Sequence, residues 1–201
     1  MGASAARGAR SSSPSSGGGG GGRRGRVREA PADTDREPGP DADPESVARR
    51  IVLTQLTTRA RTRAELAATL TKRDVPADVA VRVLDRMTEV GLIDDAAFAD
   101  EWVRQRQETR GLSRRALADE LRRKGIADEV AAAVLGEVSD EAERGRAFEL
   151  ARRKARASRG LAHEVRVRRL AGMLARKGYS PAIAYAAVRD ALAAEGLEFD
   201  D

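Results

Sequence analysis

Three stretches of the 201-residue chain repeat one arrangement of apolar and polar positions. The first holds Leu66, Leu70, Arg73, Asp74 and Val75; the second, Leu117, Leu121, Lys124, Gly125 and Ile126; the third, Leu170, Leu174, Lys177, Gly178 and Tyr179. Four residues beyond each last-named position stands Val79, Val130 or Ile183, and nine beyond it Leu84, Leu135 or Val188. The copies are 51 and 53 residues apart, a period typical of stacked helical units. Two leucines four apart share one face of a helix, so each copy predicts a helix, a tight turn and a second helix. Lys-Gly at the turn supplies a cation for the carbonyl-rich helix end and a residue that tolerates positive φ. In the first copy Asp74 stands where the others have glycine. Asp enters that conformation at a higher cost, which predicts a longer or differently bent first turn. Pro76 and Pro181 fall near the start of the second helix, where a missing amide hydrogen costs little.

A further amphipathic segment precedes each helix pair, at about residues 45–58, 95–110 and 140–157, giving three helices per unit. The predicted architecture is all-α: three three-helix repeats over 45–92, 93–139 and 140–195, closed by an acidic end at 196–201. Asp43-Pro44-Glu45 provides a cap, a first-turn proline and an early acid, and Thr62-x-x-Glu65 has the spacing of a capping box. The neighbouring acids Asp94 and Asp95 also read as helix capping, because no further acid or histidine at a supporting spacing makes them a metal site.

Composition divides the chain near residue 44. Residues 1–44 hold 10 of the 19 Gly and 5 of the 7 Pro, with too little apolar surface to offset the entropy of ordering, so a disordered tail is the expectation. Its charges form a block of six arginines over 1–28 and a block of six acids against Arg36 over 29–43, a pattern that reads as a solvated extension. Residues 45–201 are rich in Ala, Leu, Arg and Glu and poor in aromatic residues. Such a mixture favours helices, and a core of small apolar side chains suits an elongated array better than a thick globule. No secretory signal and no stretch of about 18 apolar residues occurs, so a soluble, cytoplasmic protein without membrane contact is expected. Without cysteine there is neither a disulfide nor a thiolate metal site.

Catalytic constellations are missing. His163 lacks a second imidazole or a nearby acid pair, and a surface or capping role fits it best. The Gly17 to Gly22 run is followed by no Gly-Lys-Ser/Thr, so it is no phosphate loop. No catalytic, cofactor-binding or metal residue is nominated.

The informative charges come late. Residues 104–124 hold eight Lys/Arg against three acids, and residues 144–177 hold twelve against Glu149 and Glu164, with acidic segments after each. Helices of opposite sign can neutralise one another within a stack, or a basic face can follow phosphates or an acidic protein surface. Arg152, Arg156 and Arg159, at i, i+4 and i+7, predict such a stripe, as do Arg169 and Arg176 or Lys177 on a later helix. The candidate contact residues are Arg104, Arg110, Arg114, Arg115, Arg122, Arg123 and Lys124, then Arg152, Arg153, Arg156, Arg159, Arg166, Arg169, Arg176 and Lys177. Phe148, Tyr179 and Tyr185 fall at or beside core positions, so nucleic-acid contact would run through the backbone rather than through stacked bases.

The run Gly91-Leu92-Ile93-Asp94-Asp95-x-x-Phe98-Ala99, then Trp102-Val103, Arg106, Gly111 and Leu117-x-x-x-Leu121-x-x-Lys124-Gly125-Ile126, resembles the central signature of the RecX family of recombination regulators. The third Leu-x-x-x-Leu-x-x-Lys-Gly-Tyr copy is similar to that family's C-terminal repeat, and the resemblance spans roughly residues 45–195. It implies a curved body of three-helix repeats that binds in the groove of the RecA filament on DNA and lowers recombinase and ATP-hydrolysing activity, without a cofactor or catalysis of its own. A monomer is expected. Leu92, Ile93, Phe98, Leu117 and Leu121 of the signature read as core, and Gly91 and Gly125 as turn residues. The competing reading is a helix-turn-helix DNA-binding regulator, given the size of each unit and the high pI of about 10.2. Against it, the second helices begin Pro-Ala-Asp, Ala-Asp-Glu and Ser-Pro-Ala, with no base-reading side chain near the start.

Overall fold

The computed structural model describes residues 43–197, and the expected tail lies, apart from Asp43 and Pro44, outside the described residues. Those residues form nine α-helices and one short 3-10 turn, with no strand among them. The first repeat comprises α1 (Pro44–Thr58), α2 (Arg63–Thr71) and α3 (Ala77–Glu89). The second comprises α4 (Asp95–Arg110), α5 (Arg114–Arg123) and α6 (Asp128–Gly136), and the third α7 (Asp140–Ala155), α8 (His163–Arg176) and α9 (Pro181–Leu197). Side-chain caps start most of them: Asp43, Thr62, Asp94, Ser113 and Ser139 each accept a backbone N–H from the first turn. Pro76 is the residue before α3 and Pro181 the first residue of α9, as expected of a residue without an amide hydrogen.

Each repeat owns a core. The paired leucines fill its centre: Leu66, Leu70, Leu117, Leu121, Leu170 and Leu174 are all buried. In the first repeat they pack with Val52, Val83, Leu84 and Met87, and in the second with Val103, Leu112 and Ile126. The third differs, because Ala147, Ala151 and Ala155 form a small-residue stripe on α7 that lies against Ala184, Val188 and Ala191 of α9. Methyl side chains let two helices approach closely, which offsets the small area that each alanine buries.

Two expectations about the core need correction. Leu92 is 51% exposed, whereas its neighbour Ile93 is buried, because the turn at Gly91 (φ 73°) ends α3 and only one of two successive residues can face inward. Tyr185 of α9, in a groove it lines with His163 and Val167 of α8, is 59% exposed rather than placed at the core. The first repeat's turn is also regular. Asp74 adopts φ 57°, and Val75 N donates to Leu70 O at 3.2 Å as Ile126 N does to Leu121 O and Tyr179 N to Leu174 O. The turn is neither longer nor differently bent, so Asp74 carries the conformational cost alone.

Candidate functional site

The basic residues fall into two groups, and the joints between repeats separate them. At the first joint the Lys124-Gly125 turn of repeat 2 sits on the start of α2. Thr62 Oγ1 accepts from Glu65 N at 3.1 Å and donates to Lys124 O at 2.8 Å. Lys124 Nζ reaches Glu65 at 2.6 Å and lies 4.7 Å from the centre of the Trp102 ring, which also meets the Arg106 guanidinium at 4.1 Å and stacks on Phe98. Asp95, the second of the paired acids, accepts from Arg63 N at 2.9 Å. It therefore caps a helix of the preceding repeat, while Asp94 caps its own.

The second joint repeats this geometry. Ser113 is the N-cap of α5, and its amide donates to Lys177 O at 3.0 Å. Arg114 N donates to Glu143 Oε1 at 2.9 Å, matching Arg63 and Asp95 at the first joint. The Arg114 side chain also donates to Glu143 Oε2 at 3.0 Å and pairs with Asp140. Lys177 Nζ donates to the Arg110 carbonyl, and Tyr179 OH to Gly111 O at 3.2 Å. Burial pushes the Tyr179 phenol up to about 12.

Further candidate cations also have internal partners. Glu120 gathers Trp102 Nε1, Arg106 and Arg110 at 2.8 to 2.9 Å. Arg104 pairs with Glu101, Arg122 with Asp119 and Arg152 with Glu149, each within one helical turn. Glu195 of α9 is buried and takes both Arg159, at 2.6 Å, and Arg166. These two cations hold its carboxyl below the usual carboxylate range. In the same way Lys124 and Arg59 lower Glu65, against the opposing effect of burial.

The predicted stripe through Arg152, Arg156 and Arg159 is interrupted. Helix α7 ends at Ala155, a 3-10 turn spans Arg156–Ser158, and Arg159 leaves in extended backbone. Arg115, Arg123, Arg153, Arg169 and Arg176 form a second group, exposed and without an ion pair among the described residues. Lys154, not singled out from the sequence, belongs with them. Burial holds the Lys177 ammonium below its usual range, and the charges of Arg110, Arg153 and Lys154 act in the same direction. That marks a concentration of positive charge where α4, α7 and α8 end. Three helix C-termini favour cations there, and Arg153 and Lys154 are exposed.

The joint residues Thr62 and Ser113 were missed as a matched pair in the sequence, although each stands four residues before the first leucine of its repeat. Glu195 carried no such signal, because its role depends on an α9 longer than α3 or α6. Among the described residues no cluster of three or more His, Cys, Asp or Glu could hold a metal ion, and no helix is long and apolar enough to cross a membrane.

Three family models match the chain: "RecX, first three-helix domain" over residues 48–87, "RecX, second three-helix domain" over 94–135 and "RecX, third three-helix domain" over 141–188. Regulatory protein RecX of Thermobifida fusca is 49% identical over 169 residues, covering 83% of this chain and 91% of its own. Regulatory protein RecX of Streptomyces coelicolor is 50% identical over 157 residues, covering 78% and 84%. Among solved structures, RecX from Lactobacillus salivarius superposes with a TM-score of 0.68 at 23% identity, covering 74% of this chain and 97% of the other, a likeness of fold.

Proposed function

Because the chain belongs to the RecX family, we propose that it binds the RecA recombinase filament and restrains its recombinase and ATPase activities. It acts as a non-catalytic regulator of recombination and repair within the cytoplasm. The observation that carries this reading is the match of all three repeats to a family whose members are named regulatory proteins. The distribution of charge supports it and narrows the contact surface. Of the fifteen candidate cations, those at the joints are committed to holding repeats together. Arg115, Arg123, Arg153, Arg169 and Arg176 keep exposed charges for filament carboxylates or DNA phosphates.

Contacts of this kind, each weak, add along a surface of several repeats, so affinity depends on their spacing and falls with salt. The test is retention of the protein by RecA filaments on single-stranded DNA across a salt series, with ATP hydrolysis measured in parallel. Retention that weakens with salt, together with slowed hydrolysis, is the expected result. Absence of binding at every salt concentration rejects the reading. A helix-turn-helix regulator would instead retain duplex DNA sequence-specifically without RecA, and no base-reading residue opens α3, α6 or α9.

A further inference from the structure

The two joints of the array share one plan but are closed to different depths. Within each repeat helix packs on helix: α1 and α2 on α3, α4 and α5 on α6, α7 and α8 on α9. Each apolar core is likewise built from the helices of one repeat and their links. What joins one repeat to the next is a turn laid on a helix start, so the residues at that turn decide how firmly the two are held.

At the second joint the segment under the turn is sealed. Gly111, Leu112 and Ser113 are all buried. Leu150 of α7 lies over Gly111, where an added Cβ would stand 2.8 Å from Leu150 Cδ1. Tyr179 is buried, and its hydroxyl donates to Gly111 O. The Arg114 guanidinium donates to Glu143 at 3.0 Å and to the Val138 carbonyl at 3.2 Å, so it clasps both α7 and the link that leads into it. Glu143 is nearly buried, which shields that pair from salt.

The first joint has polar, partly exposed fastenings at the same positions. Ala60 stands in the register of Gly111 and is exposed, and Arg61, in that of Leu112, is only half-buried. Arg61 Nε has no hydrogen-bond partner among the described residues. Ile126 occupies the place of Tyr179 and has no hydroxyl to offer. Arg63, in the register of Arg114, turns its side chain to Asp85 of its own repeat at 2.7 Å. Across the joint there remain the Asp95 carboxylate on Arg63 N, Thr62 Oγ1 on Lys124 O, and the Lys124 ammonium on Glu65 at 2.6 Å. The side chains of Glu65 and Lys124 are 20% and 23% exposed, and Arg59, the second cation on Glu65, is 45% exposed. Water and salt reach this cluster, as they do not reach Glu143.

From this contrast we infer that the first joint is a hinge closed by an ionic latch: repeats 2 and 3 move as one body, and repeat 1 swings against them when the Lys124–Glu65 contact is screened. Lys124 rests on the Trp102 ring of its own repeat, so the latch opens by releasing Glu65 while the turn stays folded. Salt weakens an exposed ion pair but not the apolar seal of Leu150 and Tyr179 on Gly111, so the two joints respond differently. A body hinged at one joint fits a curved partner without breaking the core of any repeat. The hinge is a property of the chain by itself and does not depend on the proposed binding to RecA.

The chain has no cysteine, so spin labels can be placed in chosen pairs. Val81→Cys with Ala132→Cys spans the first joint, and Ala132→Cys with Arg189→Cys spans the second; all three positions are exposed. Distance distributions are measured on the full chain by pulsed electron resonance at about 0.1 M and about 1 M salt. At high salt the first pair is expected to spread to about twice its width, while the second pair keeps its width. Glu65→Gln, which keeps the shape and removes the charge, is expected to give the wide first-pair distribution already at low salt. Equal first-pair widths at the two salt concentrations overturn the inference, as does widening of both pairs together in the otherwise wild-type chain. A first pair as narrow with Glu65→Gln as without it overturns it as well. Should Glu65→Gln widen both pairs, that variant has lost its fold and the salt comparison alone decides.

Discussion

The backbone of Gly178 passes so close to Ser113 that a Cβ at the glycine would stand 2.5 Å from Ser113 Oγ. The same joint brings Lys177 O to Ser113 N at 3.0 Å. The glycine therefore answers two demands: a φ of 90° and the absence of a side chain where one repeat rests on another. Gly125 meets both demands at the first joint, whereas Asp74 meets only the first, and among the described residues no other repeat rests on it. Gly125→Ala and Gly178→Ala are expected to lose more than the roughly 1 kcal/mol that a left-handed conformation costs a residue with a Cβ. Asp74→Gly is expected to be neutral or stabilising. Urea denaturation of the three variants checks the order, and equal losses at all three positions would show that contact between repeats adds nothing.

Tyr179 offers a separate probe of the second joint. Its hydroxyl is buried and donates to Gly111 O at 3.2 Å, across the boundary between repeats. Tyr179→Phe keeps the ring in the core but leaves that carbonyl without this donor, a change expected to cost about 1 to 3 kcal/mol. A urea midpoint unchanged from wild type would mean that water replaces the hydroxyl.

Acid stability follows from Glu195 and Glu65, whose carboxyl groups are both held below their ordinary range by neighbouring cations. A carboxylate with a lowered folded-state pKa binds its proton less tightly in the folded than in the unfolded chain. Its contribution is complete above the unfolded-state value, near 4.5 for Glu, and is lost as pH falls through the folded-state value. Stability is thus expected to drop below about pH 4.5. Glu195→Gln should flatten part of that drop while lowering stability at neutral pH. Urea midpoints measured between pH 7 and pH 3 decide the matter, and an unchanged acid limb would remove Glu195 from it.

The helices and turns were legible in the sequence because their cause is local. Leu66 and Leu70 lie four apart, and Asp43, Thr62 and Asp94 cap the helices they precede. Partnership between charges was not legible, because it depends on residues far apart along the chain. Arg114 meets Glu143 across 29 positions, Lys124 meets Glu65 across 59, and Arg159 meets Glu195 across 36. Arg114 and Arg115 are adjacent and chemically identical, yet only the first is folded into a joint. The Leu92 and Ile93 pair makes the same point for apolar residues, since one turn glycine sends them to opposite sides.

That contrast between adjacent arginines gives the test that separates joints from contact surface. Arg114 donates to Asp140, Glu143 and the Val138 carbonyl, and Glu143 is only 7% exposed. Removing Arg114 leaves a nearly buried carboxylate with its backbone donor but no cation. Because the Arg114 side chain is 35% exposed, solvent screens part of the loss, and about 1 to 2 kcal/mol is expected for Arg114→Ala. Arg115 is exposed and makes no such pair, so Arg115→Ala should change stability by less than about 0.5 kcal/mol. In the proposed filament binding the order is expected to reverse. Arg115→Ala should weaken retention and reduce its dependence on salt, because a cation that faces the partner is removed. Arg114→Ala, measured at a temperature where it remains folded, should leave the salt dependence intact. Loss of stability in both variants, or of salt dependence in neither, would mean that exposure and pairing do not distinguish the cations of the joints from those of the surface.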